Sequence, residues 1–134
     1  MEHPPRRVLI IDGDLRLLEA VEQAFLAEGH EVLTAADADE GLWLLARSPV
    51  DLVITELVLP GQDGLDVIAA VRSRPPTRVI ATAHGLWSQP QVYLGAARHA
   101  GADEVLAKPF AMDDLLALAG RQLDWPSADA RTRA

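Results

Sequence analysis

Five short apolar runs, separated by stretches long enough for a helix, constrain this chain more than any other feature. VLIID (residues 8–12), EVLTAA (31–36), DLVIT (51–55), RVIATA (78–83) and DEVLA (103–107) each have the length of a strand. Most read as continuous apolar runs and not as strict alternation, as strands covered on both faces do. The stretches between them repeat at helical spacing. DLRLLEAVEQAFLAEGH puts Leu17, Leu18, Val21, Ala24 and Phe25 on one face, with Asp14 as cap and Gly29 as stop. DADEGLWLLARS ends before Pro49, and GLDVIAAVRSR before Pro75 and Pro76. SQPQVYLGAARHAG begins at Ser88 and ends at Gly101. AMDDLLALAGRQL aligns Met112, Leu115, Leu116, Ala119 and Leu123. Strands that alternate with helices call for right-handed crossovers. The expected fold is therefore α/β, a three-layer sandwich with a five-stranded parallel sheet between helices.

The 134 residues allow one domain, expected over residues 7–123, with a polar tail or linker over 124–134. At 49% hydrophobic residues the chain can bury a core, and without cysteine it has no thiol or disulfide chemistry. No apolar run is long enough to span a membrane, and MEHPPRR is followed by too short an apolar run for a signal peptide. The reading is a soluble, cytoplasmic protein with no membrane contact. A net charge of −8 argues against nucleic-acid binding by this chain and suits a cation or a protein partner.

In open α/β sheets, sites form beyond the carboxyl ends of the strands. Asp12, Asp14, Glu56, Thr82 and Lys108 all fall there. Acids after the first and third strands suit a hard cation such as Mg²⁺. A hydroxyl after the fourth strand and an ammonium after the fifth suit the oxygens of an anion. Together they make a site for a phosphorylated carboxyl group. Plainer roles compete: Asp14 as a helix cap, Thr82 as an ordinary strand-end hydroxyl, Lys108 as surface charge. His84 and His99 read as loop and helix-surface residues. Trp43, Trp87, Tyr93 and Trp125 read either as partner surface or as packing.

The segments VLIIDGD, DLVITELVLPGQDGL, VIATAHG and AGADEVLAKPF, in this order, resemble the receiver domain of two-component response regulators over about residues 8–123. That resemblance implies a flavodoxin-like (βα)5 sheet of order 2-1-3-4-5 and a cis bond between Lys108 and Pro109. It also implies that Glu56 stands at the phosphoacceptor position, where the family has Asp. Gly13 stands where the family has a second acid, usually a direct metal ligand. Val105 replaces the aromatic switch residue. The metal set that remains is Asp12, Asp14 and Glu56, so Mg²⁺ is expected to bind weakly or not at all. Glu extends its carboxylate ~1–1.5 Å further than Asp, about one C–C bond. It is then poorly placed for in-line attack, but it can pair with Lys108 or accept a bond from Thr82. The family signals through the face of its fourth helix, fifth strand and fifth helix, here about residues 88–123. The resemblance leaves a sensor histidine kinase and a second copy of the chain open as partners. The leading expectation is an atypical receiver that works by protein–protein contact with weak or no phosphotransfer. A conventional receiver phosphorylated by a histidine kinase is the alternative. A small flavodoxin-like enzyme ranks below both, because DGDL after the first strand is no glycine-rich phosphate loop.

Overall fold

The computed structural model describes residues 4–84 and 90–125. Five strands alternate with five helices: β1 (Arg7–Ile11), α1 (Leu15–Ala27), β2 (Glu31–Ala35), α2 (Ala38–Arg47), β3 (Leu52–Glu56), α3 (Gly64–Arg72), β4 (Arg78–His84), α4 (Pro90–Ala100), β5 (Glu104–Lys108) and α5 (Met112–Leu123). All pairings are parallel, in the order β2-β1-β3-β4-β5. The expected flavodoxin-like sandwich is the observed fold. The chain is apolar where burial demands it. β1, β3 and β4 lie inside the sheet and are buried almost throughout, while β2 and β5 form its edges and are partly exposed.

Side chains of a strand alternate between faces, and this splits the core in two. Leu9, Ile11, Val53, Val79 and Ala81 pack with residues of α2, α3 and α4. Val8, Ile10, Leu52, Ile54 and Ile80 pack with Leu18, Val21 and Phe25 of α1 and with Leu115, Ala119 and Leu123 of α5. The expected apolar stripes of α1 and α5 are these contacts, with Leu17, Met112 and Leu116 at their margins.

Helix ends follow local chemistry. Asp14, Asp37 and Asp63 cap α1, α2 and α3 through side-chain bonds to backbone N–H groups. Gly29 takes a φ of 93° at the end of α1, which a side chain would disfavour. The cap expected at Ser88 lies outside the described residues, as do Trp87 and the side chain of Tyr93. Trp125, grouped above with the polar tail, packs against the core under α1 and α5, 4.4 Å between ring centroids from His30. Trp43 is exposed on α2, with the Arg47 guanidinium 4.1 Å above its ring.

Three strands run one residue past their expected ends. β3 includes Glu56, β4 includes His84 and β5 includes Lys108. All three additions are polar, and Glu56 and Lys108 belong to the site described below.

Candidate functional site

Register brings the candidate residues together. Glu56 is paired with Thr82, and Thr82 with Leu106, so Lys108 lies one step further, opposite His84. Glu56 continues the series Leu52, Ile54, and Lys108 continues Leu106, all on the α1 and α5 side. Asp12 follows Ile11 at the end of β1. Neighbouring strands stand about 4.8 Å apart, so only a long side chain can reach from β5 back across β4. Lys108 does so. Its Nζ donates to Asp12 Oδ2 at 2.5 Å and to Glu56 Oε1 at 3.1 Å. Asp12, Glu56, Thr82 and Lys108 are all buried. One ammonium therefore serves two carboxylates away from water, a charge-assisted arrangement with one negative charge in excess.

That excess is visible in Glu56. Burial raises its pKa above the ordinary carboxylate value, and the charge of Asp12 raises it further. The hydrogen bond and charge of Lys108, and the charge of His84, pull it back without cancelling the rise. The folded protein thus holds the Glu56 proton more tightly than the unfolded chain does. Such a group contributes less stability as pH climbs from its unfolded pKa through its folded one. Urea unfolding of the wild type and Glu56→Gln across the acidic range checks this. The stability difference, wild type minus variant, is expected to fall with rising pH through that window.

Asp14 does not join the cluster. Its Oδ1 accepts from the N–H groups of Arg16 and Leu17 at 3.1 and 3.2 Å, and its backbone N–H donates to Asp12 Oδ1 at 2.8 Å. The plain reading of Asp14 as a helix cap is the observed one. Thr82 is buried beside Glu56, yet the Glu56 carboxylate bonds to Lys108 and not to Thr82. Val105 has the opposite parity from Lys108 and packs, partly buried, against the core of α2, α3 and α4. The Lys108–Pro109 bond is cis, as the resemblance implies, and so is Pro75–Pro76. His84, read above as a loop residue, ends β4 and acts electrostatically on Glu56. Its even spacing from Thr82 was the available signal.

The loop from β3 back to α3 is fixed by Gly64. Its N–H donates to the Leu57 carbonyl at 2.8 Å, and a Cβ there would lie 2.4 Å from the Glu56 carbonyl oxygen. Gly13 differs. A Cβ on Gly13 would meet Pro60 Cδ at 3.7 Å and the Ala36 carbonyl oxygen at 3.8 Å, ordinary contact distances.

Most of the oxygens that a Mg²⁺ ion would draw on here already have partners. Both oxygens of Asp12 are engaged, one oxygen of Glu56 is held by Lys108, Asp14 caps α1, and Gly13 offers no side chain. Mg²⁺ asks for near-ideal octahedral oxygen geometry. Among the described residues, no three of His, Cys, Asp and Glu converge in a way that could hold a metal.

Against known proteins, the model of the response regulator receiver domain matches residues 8–119. The transcriptional regulatory protein GlrR of Escherichia coli is 35% identical over 137 aligned positions, covering 99% of this chain and 30% of that protein. KdpE of Mycobacterium tuberculosis is 36% identical over 110 positions, covering 82% of this chain and 47% of KdpE. The chain thus spans less than half the length of these relatives. Among solved structures, a CheY-like response regulator receiver domain protein from Methanospirillum hungatei superposes with a TM-score of 0.80 at 28% identity, covering 98% of this chain and all of that one. NtrX from Brucella abortus gives 0.81 at 27% identity, covering 90% of this chain and 27% of NtrX. No helix among the described residues is long and apolar enough to cross a membrane.

Proposed function

Because this chain belongs to the response regulator receiver domain family, and so to two-component signalling, we propose that it is an atypical receiver that signals by protein–protein contact with little or no phosphotransfer. Receiver domains are signalling modules, and they bind Mg²⁺ at their phosphorylation site. One observation carries the atypical reading. At the acceptor position a buried Glu56, not an Asp, is held by Lys108, which also holds Asp12.

Phosphoryl transfer is mostly positioning and charge neutralisation. Glu56 offers its oxygens about one C–C bond beyond where Asp would, and ~1 Å of misplacement costs on the order of 10²-fold. Gly13 withholds the acid that would share a metal ion, so Mg²⁺ binds weakly. What remains is a fixed carboxylate partway toward where a phosphoryl group would lie. It carries one charge against nearly two, and two oxygens against three. It stands in for the charged acceptor in part, biasing the module toward one signalling state. That bias is limited to the differential contacts of Glu56 in the two states, roughly 1–2 kcal/mol.

The output face is the surface of α4, β5 and α5. Val105 at its centre is too small to act as an aromatic rotamer switch, so the face holds one dominant arrangement. The partner is a protein: an effector, a histidine kinase or a second copy of the chain. Backbone NMR spectra with and without acetyl phosphate and Mg²⁺ test this reading. The expected result is no change over residues 90–123, whereas broad shifts across that face would overturn it. Glu56→Gln, which keeps the shape and removes the charge, is expected to weaken partner binding several-fold with the fold intact.

A further inference from the structure

At the opposite end of the sheet from Lys108, the carboxyl end of α3 and the amino end of β4 enclose a cleft of about 280 Å³. It is lined by Val71, Arg72, Pro75, Pro76, Thr77 and Arg78. Both guanidinium groups are oriented from behind. Asp103 Oδ2 accepts from Arg72 at 3.1 Å and its Oδ1 from Arg78 at 3.4 Å, while the Val79 N–H fixes Asp103 at 2.8 Å. Arg72 also donates to the Thr77 carbonyl at 3.0 Å, and its stem crosses Gly101 so closely that a Cβ there would lie 2.7 Å from Arg72 Cδ. All these bonds use one nitrogen of each guanidinium. A guanidinium carries five N–H donors, so the remaining edges are available to a ligand.

The charge balance favours an anion. Two cations face one carboxylate, a local excess of positive charge in a chain of net −8. The last carbonyls of α3 do not compete. Those of Ala69, Ala70 and Val71 accept from the Ser73 N–H, the Ser73 hydroxyl and the Arg74 N–H. A purely structural clamp would need only Arg72, which already ties Thr77 to Asp103. Arg78 is 53% exposed and its ion pair is the longer, and exposed pairs of this kind add little to stability. The rest of the lining is Val71, two prolines and Thr77, whose hydroxyl is spent on the Val50 carbonyl.

We propose that this cleft binds a small organic oxyanion, its carboxylate or phosphate oxygens taken by Arg72 and Arg78 in bidentate fashion. The site is separate from the carboxyl-end cluster and does not depend on the reading of Glu56. Backbone NMR titrations at constant ionic strength test it, one with succinate and one with inorganic phosphate. Saturating shifts confined to residues 71–79 and Asp103 are expected in at least one titration. Saturation by succinate alone assigns a carboxylate ligand, and saturation by phosphate alone assigns a phosphoryl ligand. Arg78→Gln is expected to weaken that binding at least tenfold without lowering the melting temperature. Arg74→Gln, outside the cleft, should leave binding unchanged. Shifts that never saturate in either titration, or that are equal in Arg78→Gln, would overturn the proposal.

Discussion

Replacing Lys108 with Met is expected to destabilise the fold by about 3 kcal/mol, the scale of a buried ion pair broken from one side. Met fills similar space without charge, so packing loss is small. The cost comes from Asp12 and Glu56, two carboxylates left together out of water with no cation between them. Like charges in such a site disfavour each other's ionisation. Acidification should therefore narrow the gap between variant and wild type as Glu56 takes up a proton. The double change Lys108→Met with Glu56→Gln should recover part of the loss, because it removes one of the stranded charges. Urea unfolding of the four proteins in this cycle gives the coupling directly. Strict additivity would mean that Lys108 and Glu56 do not act as a unit.

The double variant Gly13→Asp, Glu56→Asp is expected to bind Mg²⁺ more tightly and to take up phosphate faster than the wild type. A Cβ at position 13 makes no close contact, since Pro60 and the Ala36 carbonyl would stand at 3.7 and 3.8 Å from it. The shorter acid at position 56 draws its oxygens back by about one C–C bond. With two adjacent acids after β1, Mg²⁺ affinity should tighten at least tenfold, and phosphorylation by acetyl phosphate should rise by on the order of 10²-fold. Without metal the variant should be less stable than the wild type, because the new carboxylate sits next to Asp12. Added Mg²⁺ should return that stability by mass action. A double variant that stays inert would place the defect elsewhere, in the engagement of Asp14 by α1 or in the packing at Val105.

The sheet and its helices were legible because burial leaves a plain record. Val8, Ile10, Leu52, Ile54 and Ile80 are apolar for one reason, their place between two helical layers. The order of the strands was not in the periodicity. It came from the resemblance, since a parallel strand carries no mark of which neighbour it will pair with. By sequence Glu56, His84 and Lys108 lie just past their strands, because polar side chains look like loop starts. The ladder nevertheless continues, as Glu56 pairs with Thr82 and His84 with Lys108. The bonds of Lys108 to Asp12 and Glu56 span 96 and 52 positions of sequence, so they depend on sheet order and could not be read locally. Asp14 shows the reverse case. Its helix-capping role is local, and the alternative as a cap was visible from the start. Trp125 sits in a segment whose composition reads as a polar tail, but of its two readings, partner surface or packing, the ring takes the second, near His30 at the far end of α1.

Intact-mass spectrometry of the wild-type protein after incubation with acetyl phosphate and Mg²⁺ tests the central claim most directly, with Gly13→Asp, Glu56→Asp treated alongside as the positive control. The account predicts no phosphoryl adduct on the wild type under conditions that label the double variant. An acid-labile adduct on the wild type, lost in Glu56→Gln, would contradict it and make Glu56 a working phosphoacceptor.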